Sequence, residues 1–227
     1  MSLYLAAAGI GTIGLVDADV VDRTNLQRQI AHFTRDIDRP KVSSAADKLR
    51  EINPGLTVNT YHTRAAADNI AALLEGYDFV IEGTDNFPAK FLVNDACWFA
   101  RKPLSHAGIL RFEGQLTTIL PGHSACYRCV FPTPPPANAV PTCSQAGVLG
   151  GVAGVVGCLQ ATEALKYVLG VGDLLTDRML VFDALAIRFR EVCFRRNPRC
   201  PLCGDSPSIT ELRNEEQVVC ELREAGA

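Results

Sequence analysis

The chain has 227 residues, enough for one large domain or two small ones. Hydrophobic residues make up 48% and charged residues 21%, which supplies a full core and excludes intrinsic disorder, and a net charge of −3 excludes a nucleic-acid coat or a polybasic membrane binder. The apolar run from Leu3 to Val16 is shorter than the roughly 20 residues a bilayer span needs and has no basic flank. These features predict a soluble, globular, cytoplasmic α/β protein.

In chain order, Leu3 to Ala8 forms a helix that stops at Gly9, and Thr12 to Asp17 reads as a short apolar strand ending in acid. A polar loop covers Asp19 to Ile37. Pro40 suits a helix start, and Val42, Ala45, Ala46, Leu49 and Ile52 give Lys41 to Ile52 a helical apolar face, ended by Asn53-Pro-Gly55. Leu56 to His62 alternates as a strand. Asp68 is expected to cap a helix running to Leu74, with Gly76 as its stop. Phe79 to Glu82 is a buried strand, Gly83 to Asn86 a turn, and Pro88 to Ala100 a helix. Strands are expected at Leu104 to Leu110 and Gln115 to Leu120, and a proline-rich loop at Pro132 to Pro141. Val148 to Leu169 reads as a long apolar helix, with late strands at Met179 to Phe182 and Ile187 to Phe194.

Strand–helix–strand alternation through Leu110 implies right-handed parallel crossovers. The expected fold is therefore α/β, with a Rossmann-like, doubly wound and mostly parallel sheet and additional antiparallel strands near the C-terminus. Ligands of such sheets sit at the carboxyl ends of strands, where Asp17 and Asp85 lie. Either aspartate taken alone also fits a turn former or helix cap. Gly9-Ile-Gly11-Thr-Ile-Gly14 matches G-x-G-x-x-G, but it follows a helix and opens a strand, the reverse of the dinucleotide fingerprint. Asp17 also follows it by three residues instead of about 20, so a nicotinamide-linked oxidoreductase is disfavoured.

The nine cysteines include two Cys-x-x-Cys pairs, Cys126/Cys129 and Cys200/Cys203, with 70 residues between them. In a reducing compartment two such pairs read as tetrahedral zinc ligands in preference to a dithiol redox site. A closed four-thiolate shell has no open position, so its expected role is structural. Cys97 and Cys158 lie in apolar helical runs and read as small buried hydrophobes. His32, His62, His106 and His123 have no ligand spacing and read as packing or surface residues. Glu163 and Lys166 form an i, i+3 pair worth a few tenths of a kcal/mol. Glycines from Gly147 to Gly157 recur at short steps, which suits a close helix contact.

Several ordered motifs are more specific: Asp17-Ala-Asp-Val-Val-Asp22-Arg-Thr-Asn25-Leu-Gln-Arg28-Gln29, Arg39-Pro-Lys41, Gly83-Thr-Asp85-Asn86 and Arg111-Phe-Glu-Gly-Gln115. Cys126-Tyr-Arg-Cys129-Val-Phe-Pro132, Thr142-Cys143 before Ala146-Gly147-Val-Leu-Gly150, and the closing Cys-x-x-Cys-Gly complete the set. Together they resemble the MoeB/ThiF/HesA family, the prokaryotic relatives of ubiquitin-activating enzymes, over nearly the whole chain.

That resemblance implies ATP-dependent adenylation of the C-terminal glycine of a small ubiquitin-fold sulfur-carrier protein, followed by sulfur transfer in a molybdopterin- or thiamine-type pathway. By the same resemblance Asp17 binds the adenosine ribose, and Asn25 and Arg28 contact phosphates. Lys41 neutralises phosphate charge, Gln29 supports the site from behind, and Asp85 holds Mg²⁺. Cys143 matches the family's crossover-loop cysteine, a candidate for a covalent link to the carrier. The implied cofactors are ATP, Mg²⁺ and structural Zn²⁺. The implied partners are the carrier, a second copy in a homodimer, and a sulfurtransferase or cysteine desulfurase; no nucleic acid and no membrane is expected.

The chain departs from the family at its start. The family opens with a strand and a Gly-rich phosphate loop before the helix corresponding to Leu3 to Ala8, so residues 1–227 are expected to be one ThiF-type adenylating domain lacking those parts. The missing strand would leave two neighbouring strands without their shared partner, unless they close on each other. Poor ATP binding follows as an expectation, with a non-catalytic carrier-recognition subunit as the alternative reading. Asp38 stands where the family usually has glycine.

Overall fold

The computed structural model describes residues 1–136, 139 and 146–215. Among them the helices are α1 (Ser2–Ala7), α2 (Lys41–Ile52), α3 (Ile70–Leu74), α4 (Phe87–Phe99), α5 (Tyr127–Val130) and α6 (Gly150–Leu169). The strands are β1 (Thr12–Val16), β2 (Thr57–Tyr61), β3 (Val80–Ile81), β4 (Leu104–Leu110), β5 (Glu113–Ile119), β6 (Arg178–Asp183) and β7 (Arg188–Cys193).

The strands form two sheets, β1-β2 and β3-β4-β5-β6-β7. The β1/β2 and β3/β4 ladders are parallel, whereas β4/β5, β5/β6 and β6/β7 are antiparallel. This corrects the expectation of a mostly parallel sheet: β4 to β5 and β6 to β7 are joined by short connections, which require antiparallel pairing, and β6 returns after the long excursion through α6 to pair antiparallel with β5. The alternative, that the two strands flanking the missing one close on each other, is not what the structure shows. No ladder joins β1 to β3.

Local signals place most elements well. Pro40 is the N-cap of α2, which spans the expected residues. The cap of α3 is Asn69 and not Asp68, and the Asn69 side chain closes the preceding turn by accepting from the Ala66 N–H at 2.9 Å. Helix α6 starts two residues later than expected, with Leu149 as its N-cap. Asp38 adopts φ +69°, the left-handed region that favours glycine, which accounts physically for glycine being usual there.

Helix α6 is long and apolar enough to cross a membrane by length and composition. In this fold it is a core helix. Ala161 and Ala164 join Leu5, Ala6, Ile13, Leu49 and Val58 in one apolar cluster, while Val152 and Val156 join Ala107, Leu116 and Phe182 in another. The expected Glu163–Lys166 pair forms, but around a buried carboxylate. The carboxylate is buried and accepts from the Thr118 hydroxyl at 2.6 Å and the Leu175 N–H at 2.7 Å, with Lys166 beside it.

A buried ion pair fastens β3 to α4 and β4. Glu82 and Lys90 are 2% and 7% exposed, and Lys90 Nζ reaches Glu82 Oε2 at 3.0 Å and the Ala107 carbonyl at 2.6 Å. Burial raises the Glu82 carboxyl, but Lys90, His106 and Thr84 outweigh it and hold it at about 2. A second buried carboxylate, Asp36, is paired with Lys48 and is likewise held well below the carboxylate range against its burial.

Two predictions follow from this packing. A Cβ on Gly114 would sit 2.4 Å from Val156 Cγ2 and 3.2 Å from Val152 Cγ1. Gly114→Ala is therefore expected to lower stability by about 1–3 kcal/mol in urea unfolding, through overpacking between β5 and α6. The Glu82 pair should also set an acid limit. Its folded carboxyl lies below its unfolded value, so its stabilisation is present above about pH 5 and lost as pH falls through 4.5 toward 2, on the order of 3 kcal/mol in total. Urea titrations between pH 7 and pH 2.5 should show this decline, and a flat profile would exclude it.

Candidate functional site

The parallel β1/β2 pair delivers Asp17 just past the carboxyl end of β1, with the Asp17 N–H bonded to the Tyr61 carbonyl at 3.2 Å. The Asp17 carboxylate accepts from the Asp19 N–H at 2.9 Å, which bends the chain away from the sheet. Lys41, the first residue of α2, points back at this turn. Its Nζ lies 2.8 Å from Asp19 Oδ2 and 3.9 Å from Asp17 Oδ2, and the residue is buried. Asp17 and Lys41, separated by a polar loop in sequence, are thus brought together.

The polar loop carries Asn25, Arg28 and Gln29. Asp22 caps a short 3₁₀ turn at Arg23–Asn25 by accepting from the Thr24 N–H at 2.7 Å. Asn25 donates to the Thr24 hydroxyl at 3.2 Å, and Arg28 Nη1 donates to the Thr24 carbonyl at 3.2 Å. Both side chains are therefore gathered on one turn, with most of the Arg28 donors left for another acceptor. Gln29 Oε1 is buried and has no hydrogen-bond partner among the described residues. Gln27 donates to the Val148 carbonyl at 3.3 Å, which ties this loop to the segment preceding α6. Cys143 lies outside the described residues.

Asp85 sits on the turn after β3, in the other sheet. It is exposed and makes no hydrogen bond or ion pair among the described residues, so the structure does not bring it into contact with Asp17, Arg28 or Lys41. Among the residues around it, Thr84 lies within the Gly83–Asn86 motif and His106 reads as packing or surface, whereas Glu82 and Lys90 have no functional reading from the sequence. Glu82 Oε1 accepts from the Thr84 N–H at 2.6 Å and from the Thr84 hydroxyl at 2.5 Å. His106 Nδ1 lies 3.0 Å from Glu82 Oε2 without an aligned hydrogen bond, and burial lowers its pKa. The one sequence signal was Lys90, a lysine opening the apolar run Phe91-Leu-Val93.

The four knuckle cysteines converge. Cys126 Sγ lies 3.9 Å from Cys129, 3.6 Å from Cys200 and 3.4 Å from Cys203, and Cys129 lies 3.2 Å from Cys203. No disulfide forms, and all four sulfur atoms lie within 4.8 Å of one another. The edge of a tetrahedron with 2.3 Å metal–sulfur bonds is about 3.8 Å, so the cluster can hold a metal ion of that geometry. Backbone N–H groups of Asn197 and Cys203 approach Cys129 and Cys200 sulfurs at 3.3 and 3.5 Å, the donors that a thiolate shell uses. Gly204 is required at the second knuckle, since a Cβ there would meet the Cys200 carbonyl oxygen at 2.4 Å. Cys97, Cys158 and Cys193 stay outside the cluster, and burial pushes the Cys97 thiol up to about 12.

A cavity of about 500 Å³ lies beside Cys203, lined by Trp98, Arg101, His123, Arg195 and Arg196. It contains none of the residues expected to bind a nucleotide.

Comparison with known proteins agrees with the motif order. The ThiF family profile matches residues 1–202. The chain is 44% identical over 225 residues to the sulfur carrier protein adenylyltransferase of Thermus thermophilus, covering 97% of this chain and 83% of that protein. It is 46% identical over 202 residues to the SAMP-activating enzyme E1 of Haloferax volcanii, covering 89% and 74%. It is 45% identical to the adenylyltransferase and sulfurtransferase MOCS3 of Culex quinquefasciatus, of which it spans 50%. Among solved structures, E. coli MccB with MccA-N7isoASN superposes with a TM-score of 0.78 at 22% identity, over 89% of this chain and 62% of MccB, a likeness of fold. With the profile covering most of its length and close relatives aligned nearly end to end, the chain belongs to the ThiF family.

Proposed function

We propose that this chain is a single ThiF-type domain that adenylates the C-terminal glycine of a small ubiquitin-fold sulfur-carrier protein. The observation that carries this reading is the Lys41 ammonium held at the carboxyl end of β1 beside Asp17 and Asp19. The 44% identity to a sulfur carrier protein adenylyltransferase supports the choice of reaction. In that reaction a carrier carboxylate oxygen attacks the α-phosphorus of ATP. The bond from that phosphorus to the bridging oxygen breaks, and pyrophosphate leaves with the electron pair.

Two anions must meet in that step, so cations have to offset their repulsion and align them. Asp17 accepts the ribose hydroxyls. Arg28 offers its unused guanidinium donors to phosphate oxygens, with Asn25 beside it and Gln29 supporting the loop. Lys41 moves part of its attraction from Asp19 to phosphate. Asp85, exposed and without a side-chain partner among the described residues, would hold Mg²⁺, which would supply neutralisation of phosphate charge. In the later step the Cys143 thiolate attacks the acyl-adenylate carbonyl, a thioester to the carrier forms, and AMP leaves with the electron pair of the broken C–O bond; a sulfurtransferase or cysteine desulfurase is the partner for the sulfur transfer that follows.

Zn²⁺ is the ion proposed for Cys126, Cys129, Cys200 and Cys203, because four thiolates in a tetrahedral shell match its preferred ligands and leave no open position. Its role is to pin the C-terminal segment to α5. Seven free cysteines among the described residues suit the cytoplasm. A homodimer through the exposed apolar end of α6, where Val168 and Leu169 are 53% and 67% exposed, completes the assembly.

ATP–pyrophosphate exchange with a panel of carriers ending in glycine tests the reading. Arg28→Ala and Lys41→Ala should each lower exchange by roughly 100-fold or more while the thermal midpoint changes little. Absence of exchange with every carrier would reject the assignment. Cys143→Ser should retain adenylation and lose sulfur transfer, and retention of both would remove Cys143 from the mechanism. Metal analysis should find about one zinc per chain, and chelation or Cys200→Ser should lower the thermal midpoint. Zinc-free protein of unchanged stability would contradict the structural role.

A further inference from the structure

The turn that carries Asp85 is held from both sides by groups that do not themselves face a nucleotide. On its far side, Asn86 caps α4 by accepting from the Ala89 N–H at 2.9 Å. On its near side, one oxygen of Glu82 accepts both the Thr84 N–H and the Thr84 hydroxyl. Asp85 has no side-chain partner of its own among the described residues, so these two backbone anchors determine where its carboxylate lies.

Glu82 is in turn fixed from three elements. Lys90 of α4 reaches both carboxylate oxygens, at 3.1 and 3.0 Å. The Glu82 N–H donates to the Ser105 carbonyl of β4 at 3.0 Å. Gln160 of α6 donates to the Glu82 carbonyl at 2.8 Å and to the Ser105 carbonyl at 3.2 Å. His106 stacks on Tyr127 with ring centroids 4.0 Å apart, which closes the remaining side with a residue of the first cysteine knuckle.

A buried ion pair is a poor way to gain stability, because desolvation offsets most of the attraction and an apolar pair of similar volume does as well. What it adds is a defined geometry. The carboxylate here spends that geometry on the residue immediately before Asp85. We propose that Glu82, clamped by Lys90, is a positioning residue that sets the Thr84–Asp85 turn for the metal-bound triphosphate. The proposal rests on the adenylation reading given above.

Glu82→Gln alone strands the Lys90 ammonium and risks misfolding, so the main variant is the double substitution Glu82→Gln/Lys90→Met, with Thr84→Val removing only the hydroxyl arm. Amide hydrogen exchange at residues 83–86 and ATP–pyrophosphate exchange kinetics are measured on wild type, both variants and Asp85→Asn. In the folded double variant, exchange at residues 83–86 should quicken and KM for Mg·ATP should rise, each roughly tenfold, with kcat changed far less. Thr84→Val should move both in the same direction by a smaller factor. A merely structural role would lower kcat through lost active protein and leave KM unaltered. Unchanged exchange at residues 83–86, or unchanged KM, in the folded double variant overturns the proposal. If wild type supports no pyrophosphate exchange with any carrier, the adenylation reading fails, and amide exchange still decides whether Glu82 fixes the turn.

Discussion

The fold depends on one packing relationship, the contact of α6 with two sheets that share no ladder. One end of the helix packs in the cluster that holds Ile13, Val58 and Ile81, and the other end in the cluster of Ala107, Leu116 and Phe182. The C-terminal half of the helix places Ala161 and Ala164 against α1, α2, β1 and β2, and its N-terminal half places Val152 and Val156 against β4, β5 and β6. Small residues allow this double duty. A Cβ on Gly150 would meet the Gln27 carbonyl oxygen at 2.1 Å and one on Gly114 would meet Val156 Cγ2 at 2.4 Å, whereas Gly151 and Gly154 face open space. The same helix contributes Gln160 and Glu163, whose buried polar groups are satisfied by strand carbonyls, a hydroxyl and a loop N–H. A helix that looks like a membrane span by composition is thereby committed to the protein core, with Gln160 and Glu163 each held by more than one partner.

The second constraint is how the chain handles buried charge. Asp36 with Lys48, Glu82 with Lys90, and Asp95 with Arg128 are all nearly excluded from solvent. Each joins segments that flank the candidate site or the cysteine cluster. Arg128, inside the first knuckle, donates to Asp95 of α4 at 2.7 Å and also contacts Glu215 and the Pro132 carbonyl. Pairs of this kind contribute little net stability but penalise displaced alternatives strongly, since a shift strands a charge. They suit a protein whose reactive groups sit on loops, where the backbone alone specifies position weakly.

Charge is treated differently at the open strand end. Lys41 faces Asp19 and Asp17 at a partly solvated surface, and Arg28 keeps most of its donors unused. An anion arriving there meets cations that are already placed and only partly committed. The pairs beneath are closed off from solvent, whereas at the strand end Arg28 keeps most of its donors unused among the described residues.

The sequence by itself determined the local elements and the identity of the chemistry-bearing residues. Proline, glycine and apolar spacing act over a few residues, so α2 and β1 could be read within a residue or two, and the two Cys-x-x-Cys pairs announced a tetrahedral thiol site whatever the intervening chain does. Motif order singled out Asp17, Asn25, Arg28, Lys41 and Asp85 as candidates. Only the tertiary structure decided the rest. The sheet direction after β4, the burial of Glu163, the separation of Asp85 from the Asp17–Lys41 pair and the Glu82–Lys90 clamp all depend on contacts between residues far apart in sequence. Burial and pairing are properties of a neighbourhood, and a lysine such as Lys90 reads as surface until the strand carrying its carboxylate has been placed beside it.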